Sequence, residues 1–336
     1  MEKNHEEPIL VTEEEVQLLI QTLEKASTSL ISTNKLIKYE GFWYPASVES
    51  LKNILMFQRH FCARDSDLIL ASHPKTGTTW LKSLLFATVN RNNYPKHDNP
   101  LFKNHPHELV YRLENNIYDE VHNHYPRPHH LNELPSRRLF NSHLPYSSLP
   151  ESISTTKCRI LYICRNPLDT LVSLYYFVLN IIKKKKGGED FQPPSLEDFF
   201  EDFYDGRAIH GPYLDNVVEY WKLSLEQPQK VFFMKYEDLK KDSESHVKKL
   251  AEFVGVPFTM EEEREGVIQE IIELCSIKKL KELEVNKNGA INKIFDKESY
   301  FRKGNVGDGI HYFTPNMVER MNKLTQQKLQ GTDLSL

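Results

Sequence analysis

The N-terminal third of the chain contains apolar positions at two spacings, which predict helices and a strand. Behind Thr12, a residue type that caps helices, apolar side chains recur at helical spacing and predict a short amphipathic helix. They are Val16, Leu19, Ile20 and Leu23. The segment SVESLKNILMFQRHF (47–61) predicts a second helix. The compact apolar run DLILAS (67–72) predicts a strand.

Two further strand–helix units follow the first one. A polar turn after DLILAS leads into a helix whose apolar face contains Trp80, Leu81, Leu84 and Leu85. The run CRILYIC ends at Cys164, and the next helix is capped by Asn166 and begins with Pro167. A third strand, KVFFMKY (230–236), leads through EDLKKD into the helical segment SHVKKLAEFVG.

This alternation predicts the fold class and the place of the functional site. Strands that alternate with helices and read as continuous apolar runs indicate a parallel sheet with helices on both faces, an α/β fold. Ligands of such sheets bind at the carboxyl ends of the strands. Lys75, Arg165 and Tyr236 each lie just past such an end. We therefore expect these three side chains to converge.

Composition and charge exclude several classes of protein. The chain has 336 residues, 27% of them charged, and a formal net charge of -4, so it lacks the overall basic field of nucleic-acid-binding proteins. No uncharged apolar run is long enough to span a membrane, and the acidic N-terminus does not resemble a signal peptide. The four cysteines are scattered without a CxxC pair, which argues against disulfides and a thiolate zinc site. We predict a cytoplasmic protein that binds neither nucleic acid nor membrane.

The turn HPKTGTTW has the composition of an anion-binding loop. Gly77 permits a tight turn, Thr78 and Thr79 supply donors at a helix N-terminus, and Lys75 adds a full charge. In the GxxxxGK[ST] loop of nucleoside triphosphate enzymes the lysine directly follows the last glycine, whereas here it precedes the glycine by two positions. The loop therefore predicts an anion other than a nucleoside triphosphate. An ordinary strand-to-helix turn with a surface lysine is the alternative.

Arg165 and Ser173 form a second candidate anion site. A forked guanidinium contact and a hydroxyl are suited to a phosphate group. An ion pair between Arg165 and Asp169 with a purely structural role is the alternative for this arginine.

Two other segments hold candidate polar groups. In SYFRKGNVGD, Arg302 and Lys303 precede Gly304 in a loop whose amides and cations can close over a phosphate, although a basic surface turn has the same sequence. His143 ends another apolar segment, RLFNSHLPY. It is either a hydrogen-bonded structural residue or a general base.

Two conspicuous segments are given no functional role. HNHYPRPHH (122–130) contains four histidines, but two prolines break their spacing and no Cys or carboxylate pattern lies beside them, so we predict no metal site. IIKKKKGGEDFQPPS (181–195) combines a lysine run with glycines and prolines. It predicts a solvated loop rather than a contact with an acidic partner.

Six segments, taken in order, resemble the cytosolic sulfotransferases, and the plant branch of that family most of all. They are PKTGTTW, SHLPY, CRNPLDTLVSLYYF, KYEDL, LCSIKKLKELEVNK and FRKGNVGD. The match starts at GFWYP near Gly41 and runs nearly to the C-terminus. The resemblance implies a single α/β domain with the P-loop-like sulfotransferase fold over residues 41–336, preceded by an N-terminal helical extension over residues 1–40.

The resemblance also implies a reaction and the residues that carry it out. Such an enzyme transfers the sulfonate group of 3'-phosphoadenosine 5'-phosphosulfate (PAPS) to an acceptor hydroxyl and needs no metal. The 5' phosphosulfate would contact Lys75, Thr76, Gly77, Thr78 and Thr79, with the adenine against Trp80. The 3' phosphate would contact Arg165, Ser173, Arg302, Lys303 and Gly304, and Tyr236 with Ser276 would help to place the base and phosphate. His143 would be the catalytic base, and Lys75 would stabilise the charge that grows on the bridging oxygen.

The chain departs from the family pattern at three places. Ile277 stands where an aromatic residue is usual, so we expect the adenine to be stacked on one side only. Gly309 replaces a tryptophan, which removes a large packing group and is expected to loosen the final loop. Ile310 and Pro315 replace the Lys and Val of the dimer motif of animal members, so we expect a monomer or a weak dimer.

Two other functions compete with this interpretation. A P-loop nucleotide kinase needs an acidic Mg²⁺ partner at a strand end, where this chain has Arg165. A non-catalytic binder of a nucleotide or a phenolic ligand would not need both Lys75 and His143.

The expected acceptor is a small apolar or aromatic compound with a hydroxyl group. A flavonoid or another phenol is the first expectation, and the resemblance leaves a steroid, a hydroxyjasmonate or a desulfoglucosinolate as alternatives. Aromatic residues near the matching segments are candidates for an apolar pocket. They are Trp43, Tyr44, Phe102, Tyr146, Tyr176 and Phe177.

Overall fold

The computed structural model describes residues 11–28, 35–94, 96–116, 131, 133–134, 136–186, 193–291 and 295–336. The helices in these ranges are α1 (Glu13–Thr22), α2 (Val48–His60), α3 (Thr78–Val89), α4 (Pro106–Leu109), α5 (Leu113–Asn116), α6 (Glu151–Thr155), α7 (Pro167–Lys186), α8 (Leu196–Tyr204), α9 (Tyr213–Glu226), α10 (Tyr236–Lys241), α11 (Ser243–Phe253), α12 (Met260–Arg264), α13 (Val267–Leu274), α14 (Ile277–Glu282), α15 (Glu284–Lys287) and α16 (Pro315–Leu329). The strands are β1 (Glu24–Ser27), β2 (Lys35–Tyr39), β3 (Phe42–Pro45), β4 (Leu68–Ser72), β5 (Tyr111–Arg112), β6 (Leu139–Ser142), β7 (Arg159–Cys164), β8 (Val231–Lys235), β9 (Ala290–Ile291) and β10 (Phe295–Asp296).

A five-stranded parallel sheet in the order β5-β6-β4-β7-β8 forms the centre of the molecule. Successive residues of a strand point to opposite faces of the sheet. Ile69 and Ala71 of β4 pack into one core cluster with α2, α7 and α9, whereas Leu68 and Leu70 pack into another with α3, α11 and α13. Both faces are therefore covered by helices, and the predicted α/β fold with a parallel sheet is confirmed.

Several predicted elements have the predicted local cause. The Thr12 side chain accepts a hydrogen bond from the Glu15 main-chain nitrogen and caps α1. Asn166 Oδ1 accepts from the main-chain nitrogen of Leu168 at 3.0 Å at the start of α7. The segment after β8 differs from the prediction, because the polar stretch from Tyr236 is itself a short helix, α10, followed directly by α11.

The N-terminal part also contains strands that the sequence analysis did not predict. β1, β2 and β3 form an antiparallel sheet, and the turn between β2 and β3 is at Glu40 and Gly41, both with positive φ. The range predicted as a helical extension thus holds α1 and two strands, and a hairpin crosses its predicted end at residue 40. Where the domain begins stays a prediction.

In the ranges that the structure covers, no helix is both long enough and apolar enough to cross a membrane.

Candidate functional site

The carboxyl ends of the central strands meet at one cavity. His143, Arg165 and Tyr236 directly follow β6, β7 and β8, and Lys75 lies in the loop between β4 and α3. All four line a cavity of about 510 Å³. The predicted convergence of these side chains therefore occurs, because all the strands point the same way and end at the same edge of the sheet.

Most of the other predicted site residues line the same cavity. The full set is Lys75, Gly77, Thr78, Thr79, Trp80, His143, Arg165, Ser173, Tyr236, Arg302 and Gly304. The three loops that the sequence analysis singled out, after β4, after β7 and at residues 302–304, thus form one site.

Three predicted residues lie outside this lining in the described structure. The Thr76 hydroxyl lies 2.9 Å from each of two main-chain carbonyl oxygens and shares its one proton between them. The Ser276 side chain caps α14. Lys303 lies in the exposed loop, where its ammonium is 3.3 Å from Asp308 and 2.8 Å from the Tyr312 hydroxyl. Each of these three side chains has other partners in the structure. Their expected contacts with PAPS therefore stay predictions.

His143 is held as a neutral ring in one tautomer. Its Nδ1 lies 2.6 Å from the Ser72 carbonyl, so Nδ1 carries the proton and donates, and Nε2 is the unprotonated nitrogen. Burial holds the pKa of His143 well below its ordinary range, and the nearby Arg112 acts in the same direction. The His143 main-chain nitrogen donates to Glu114 Oε1 at 2.8 Å, which fixes the backbone. This is the protonation state that a general base requires.

Lys75 reaches into the cavity from a left-handed backbone position, with φ of 71°. Its ammonium lies 4.0 Å from the centre of the Phe177 ring and 5.4 Å from that of Tyr300. Burial, with the charges of Arg302 and Arg165 acting in the same direction, lowers the pKa of Lys75 to about 7. An anion bound at this place would stabilise the ammonium and raise that pKa.

Two arginines present buried guanidinium groups to the cavity. The Nε atoms of Arg165 and Arg302 are buried and have no hydrogen-bond partner among the described residues. Arg165 Nη2 also pairs with Asp169 Oδ2 at 3.2 Å. The structural ion pair considered as an alternative is thus present, but the Nε–H group of Arg165 still has no partner in the described structure. Such an arrangement is suited to a phosphate group.

Asp169 fastens the final loop to the start of α7. Its carboxylate accepts from the main-chain nitrogens of Gly307 at 2.9 Å and Gly309 at 2.6 Å. A Cβ atom on Gly309 would lie 2.5 Å from the carbonyl carbon of Leu168. The expectation that Gly309 loosens this loop is therefore wrong, because the missing side chain allows the loop backbone to lie against α7.

Trp80 and Ile277 both line the cavity. The Trp80 ring meets Tyr236 edge-on at 5.3 Å, and the Tyr236 hydroxyl donates to the Gly304 carbonyl at 2.9 Å. A Cβ atom on Gly304 would lie 2.1 Å from Ile277 Cδ1, and one on Gly77 would lie 2.7 Å from Tyr236 Cδ2. Both positions have positive φ, which favours glycine, and at Gly77 the Tyr236 ring also leaves no space for a side chain.

The sequence analysis missed several lining residues, among them His107, Arg112 and His210. His210 Nε2 accepts from Arg112 at 3.0 Å, and its ring lies 5.8 Å from that of His143. Arg112 belongs to the two-residue strand β5, which is too short to leave a pattern in the sequence. His107 and His210 are single histidines outside any recognisable motif, so the sequence did not indicate their place in the site either.

The rest of the cavity wall is apolar. It includes Phe177, Val178, Ile181, Ile182, Phe295 and Tyr300. Of the aromatic residues proposed from the sequence, Phe177 lines the cavity, while Trp43, Tyr44, Phe102, Tyr146 and Tyr176 lie outside its described lining.

In the described parts of the chain, no group of three or more His, Cys, Asp or Glu side chains is placed to hold a metal ion. The histidine-rich segment 122–130 lies outside the described residues.

The site combines an anion-suited loop at a helix N-terminus with a neutral histidine and buried cations, at the edge of a parallel α/β sheet. This arrangement is typical of an enzyme that transfers an anionic group. A family model described as a sulfotransferase domain matches residues 65–333. Cytosolic sulfotransferase 5 of Arabidopsis thaliana is 42% identical over 331 residues, which cover 95% of this chain and 99% of that protein. The chain therefore belongs to the plant cytosolic sulfotransferase family and is a sulfotransferase, as the sequence motifs indicate. This membership decides against the kinase and the non-catalytic interpretations.

Two other similarities carry chemical information about the relatives. A flavonol 4'-sulfotransferase of Flaveria chlorifolia is 40% identical over 314 residues, 92% of this chain and 92% of that protein. The crystal structure of a mouse sulfotransferase complexed with PAP superimposes with a TM-score of 0.65 at 27% identity, covering 89% of this chain and 95% of that one. The sulfotransferase fold is thereby confirmed.

Proposed function

We propose that this enzyme transfers a sulfonate group from PAPS to a hydroxyl of a small aromatic acceptor, with a flavonol as the first candidate. One observation carries the proposal. The neutral His143 and Lys75 line the same cavity as Arg165 and Arg302, whose buried Nε donors have no partner among the described residues. A base and a set of fixed cations within one apolar cavity are what transfer of an anionic group to a hydroxyl requires.

The polar end of the cavity is suited to the two ends of the donor. Buried N–H groups without partners are unfavourable, and phosphate oxygens are strong acceptors for them. Arg165, Arg302 and Ser173 would hold the 3' phosphate. Lys75 and the amides at the N-terminus of α3 would hold the 5' phosphosulfate. PAP is the bisphosphate that remains when PAPS has lost its sulfonate group. The complex of the mouse relative with PAP supports PAPS as the sulfonate donor.

The chain's own residues supply the acid–base and electrostatic parts of the reaction. The donor provides the sulfonate that moves to the acceptor oxygen. His143 Nε2 takes the proton of the acceptor hydroxyl, while the bond from Nδ1 to the Ser72 carbonyl keeps the ring oriented. Lys75 moves from its aromatic neighbours toward the departing bisphosphate and neutralises its growing charge.

The apolar wall of the cavity supports an aromatic acceptor. Phe177, Phe295 and Tyr300 present rings to a space of about 510 Å³, which is within the usual range for small-molecule sites. The relative that acts on flavonols is similar over nearly its whole length, which makes a flavonol the first compound to test.

An acceptor screen with PAPS tests the proposal. Flavonols, simple phenols, a steroid, a hydroxyjasmonate and a desulfoglucosinolate are compared by mass spectrometry of the sulfated product. Parallel arms omit Mg²⁺ or replace PAPS by ATP with Mg²⁺. We expect sulfation of a flavonol with PAPS alone and no product with ATP. Sulfation confined to the non-aromatic acceptors contradicts the acceptor assignment, and product from ATP contradicts the donor assignment.

Asp169→Asn is expected to weaken PAP binding about tenfold. The amide retains the size of the carboxylate but loses its charge and presents N–H to one of the two loop amides, so the final loop no longer lies firmly against α7. Isothermal titration calorimetry measures the affinity. Asp215→Asn is the matched control, because Asp215 lies at the surface and pairs with Lys328. Unchanged PAP affinity in a folded Asp169→Asn protein would contradict this role.

A further inference from the structure

A buried lysine on α3 contacts the site through a histidine, and neither residue belongs to the reaction described above. Lys82 is fully buried. Its Nζ donates to the Val110 carbonyl at 2.9 Å and lies 3.1 Å from His107 Nδ1. His107 Nε2 lies 3.0 Å from Thr79 Oγ1. His107 and Thr79 both line the cavity, so this chain of contacts runs from the interior of the domain to the anion-suited loop.

The chemistry of the groups gives this chain of hydrogen bonds a direction. An ammonium group has donors only, so it requires His107 Nδ1 to accept. A neutral imidazole then carries its proton on Nε2 and donates it to Thr79 Oγ1. A hydroxyl that accepts a hydrogen bond in this way has its own proton left to donate. The anion-suited loop, which contains Thr79, is where that proton meets an acceptor.

We infer that Lys82 and His107 are positioning residues for the sulfonate donor: together they turn the Thr79 hydroxyl proton toward the anion held at the loop. This inference rests on the proposed function, because it requires a phosphosulfate or phosphate group beside Thr79. It goes beyond that function by giving a task to two residues that do not touch the reacting atoms.

The surroundings of His107 agree with this task. Burial lowers the pKa of His107 well below its ordinary range, and the charge of Lys82 acts in the same direction, so the ring is neutral. His105, His143, Lys75 and Tyr300 are its other titratable neighbours. Burial and Arg112 lower the pKa of Lys82 well below its ordinary range despite the opposing charge of Glu114, so the charged lysine that this task requires depends on the anion at Thr79. An anion at Thr79 favours the charged lysine and the outward hydroxyl together.

The tautomer of His107 in the unmodified enzyme provides the first test. With ¹⁵N-labelled histidine, NMR chemical shifts distinguish a ring protonated at Nε2 from one protonated at Nδ1, and the His107→Gln variant assigns the signal. We expect the Nε2–H form in the enzyme saturated with PAP. The Nδ1–H form would overturn the inference. If the enzyme does not bind PAP at all, the proposed function fails instead.

Binding measurements provide the second test. We expect Lys82→Met and Thr79→Val each to weaken PAP binding about tenfold, and the double variant to weaken it by no more than the larger single effect. The KM for the acceptor at saturating PAPS should stay unchanged in Lys82→Met. Thr88→Val is the control, because Thr88 is another fully buried polar residue on α3 and lies outside the cavity lining. Additive losses for Lys82 and Thr79, or wild-type affinity in Lys82→Met, would contradict the relay.

Discussion

His143→Ala is expected to fold normally and to lose turnover by ~10²–10⁴. The side chain lines the cavity, and its Nδ1 contacts the carbonyl of Ser72 at 2.6 Å and the hydroxyl of the same residue at 3.3 Å, so its removal takes little from the core. In the proposed function PAPS is bound by the other end of the cavity. The loss should therefore appear in kcat, while the affinity for PAP stays near that of the wild type. Single-turnover rates and calorimetry measure the two quantities separately.

The pH dependence of the same enzyme gives His143 a second signature. Burial lowers the pKa of His143 well below its usual value, so the ring stays unprotonated, and competent as a base, down to that lowered pKa. The rate should therefore fall on the acid side at a pH below the ordinary titration range of histidine. His246→Ala is the control, since His246 lies at the surface on α11. Full turnover in purified His143→Ala would remove the assigned role.

The convergence of the site was predictable because it depends on the common direction of the strands. Each of the apolar runs before Lys75, Arg165 and Tyr236 is short, and parallel strands end at one edge of their sheet. No side-chain detail is needed for that conclusion. The N-terminal sheet was missed because its strands carry mixed burial and pair locally, as in β1, where three of four residues are exposed.

Side-chain direction could not be predicted, because it depends on competing partners that lie far away in the sequence. Thr76 belongs to the same motif as Thr79, yet its hydroxyl bonds the carbonyl of Ile163, which is 87 positions further along the chain. Gly309 illustrates the opposite case. The sequence shows that a side chain is missing there, and the contact of the loop with Leu168 and Asp169 gives the reason.

Lys75→Met is expected to lower turnover by ~10²–10³ without unfolding the enzyme. Methionine keeps the length of the lysine stem and its contact with the Phe177 ring, but it cannot neutralise charge on a departing phosphate. The loss should therefore be larger in kcat than in the KM for the acceptor. Lys248→Met is the control, because Lys248 pairs with Glu263 at the surface.

Proton uptake during PAP binding tests the same lysine in the unmodified enzyme. The pKa of Lys75 is lowered to about 7 in the empty site, chiefly by burial, and a bound anion raises it. At about pH 8 Lys75 of the free enzyme is mostly a neutral amine, so PAP binding must take up a proton. At about pH 6 Lys75 is already charged, and the proton uptake on binding vanishes.

Calorimetry in two buffers with different ionisation enthalpies measures the number of protons. The uptake at the higher pH should disappear in Lys75→Met and persist in Lys248→Met. Equal uptake in Lys75→Met and the wild type would assign the proton to another group and leave Lys75 outside the anion site.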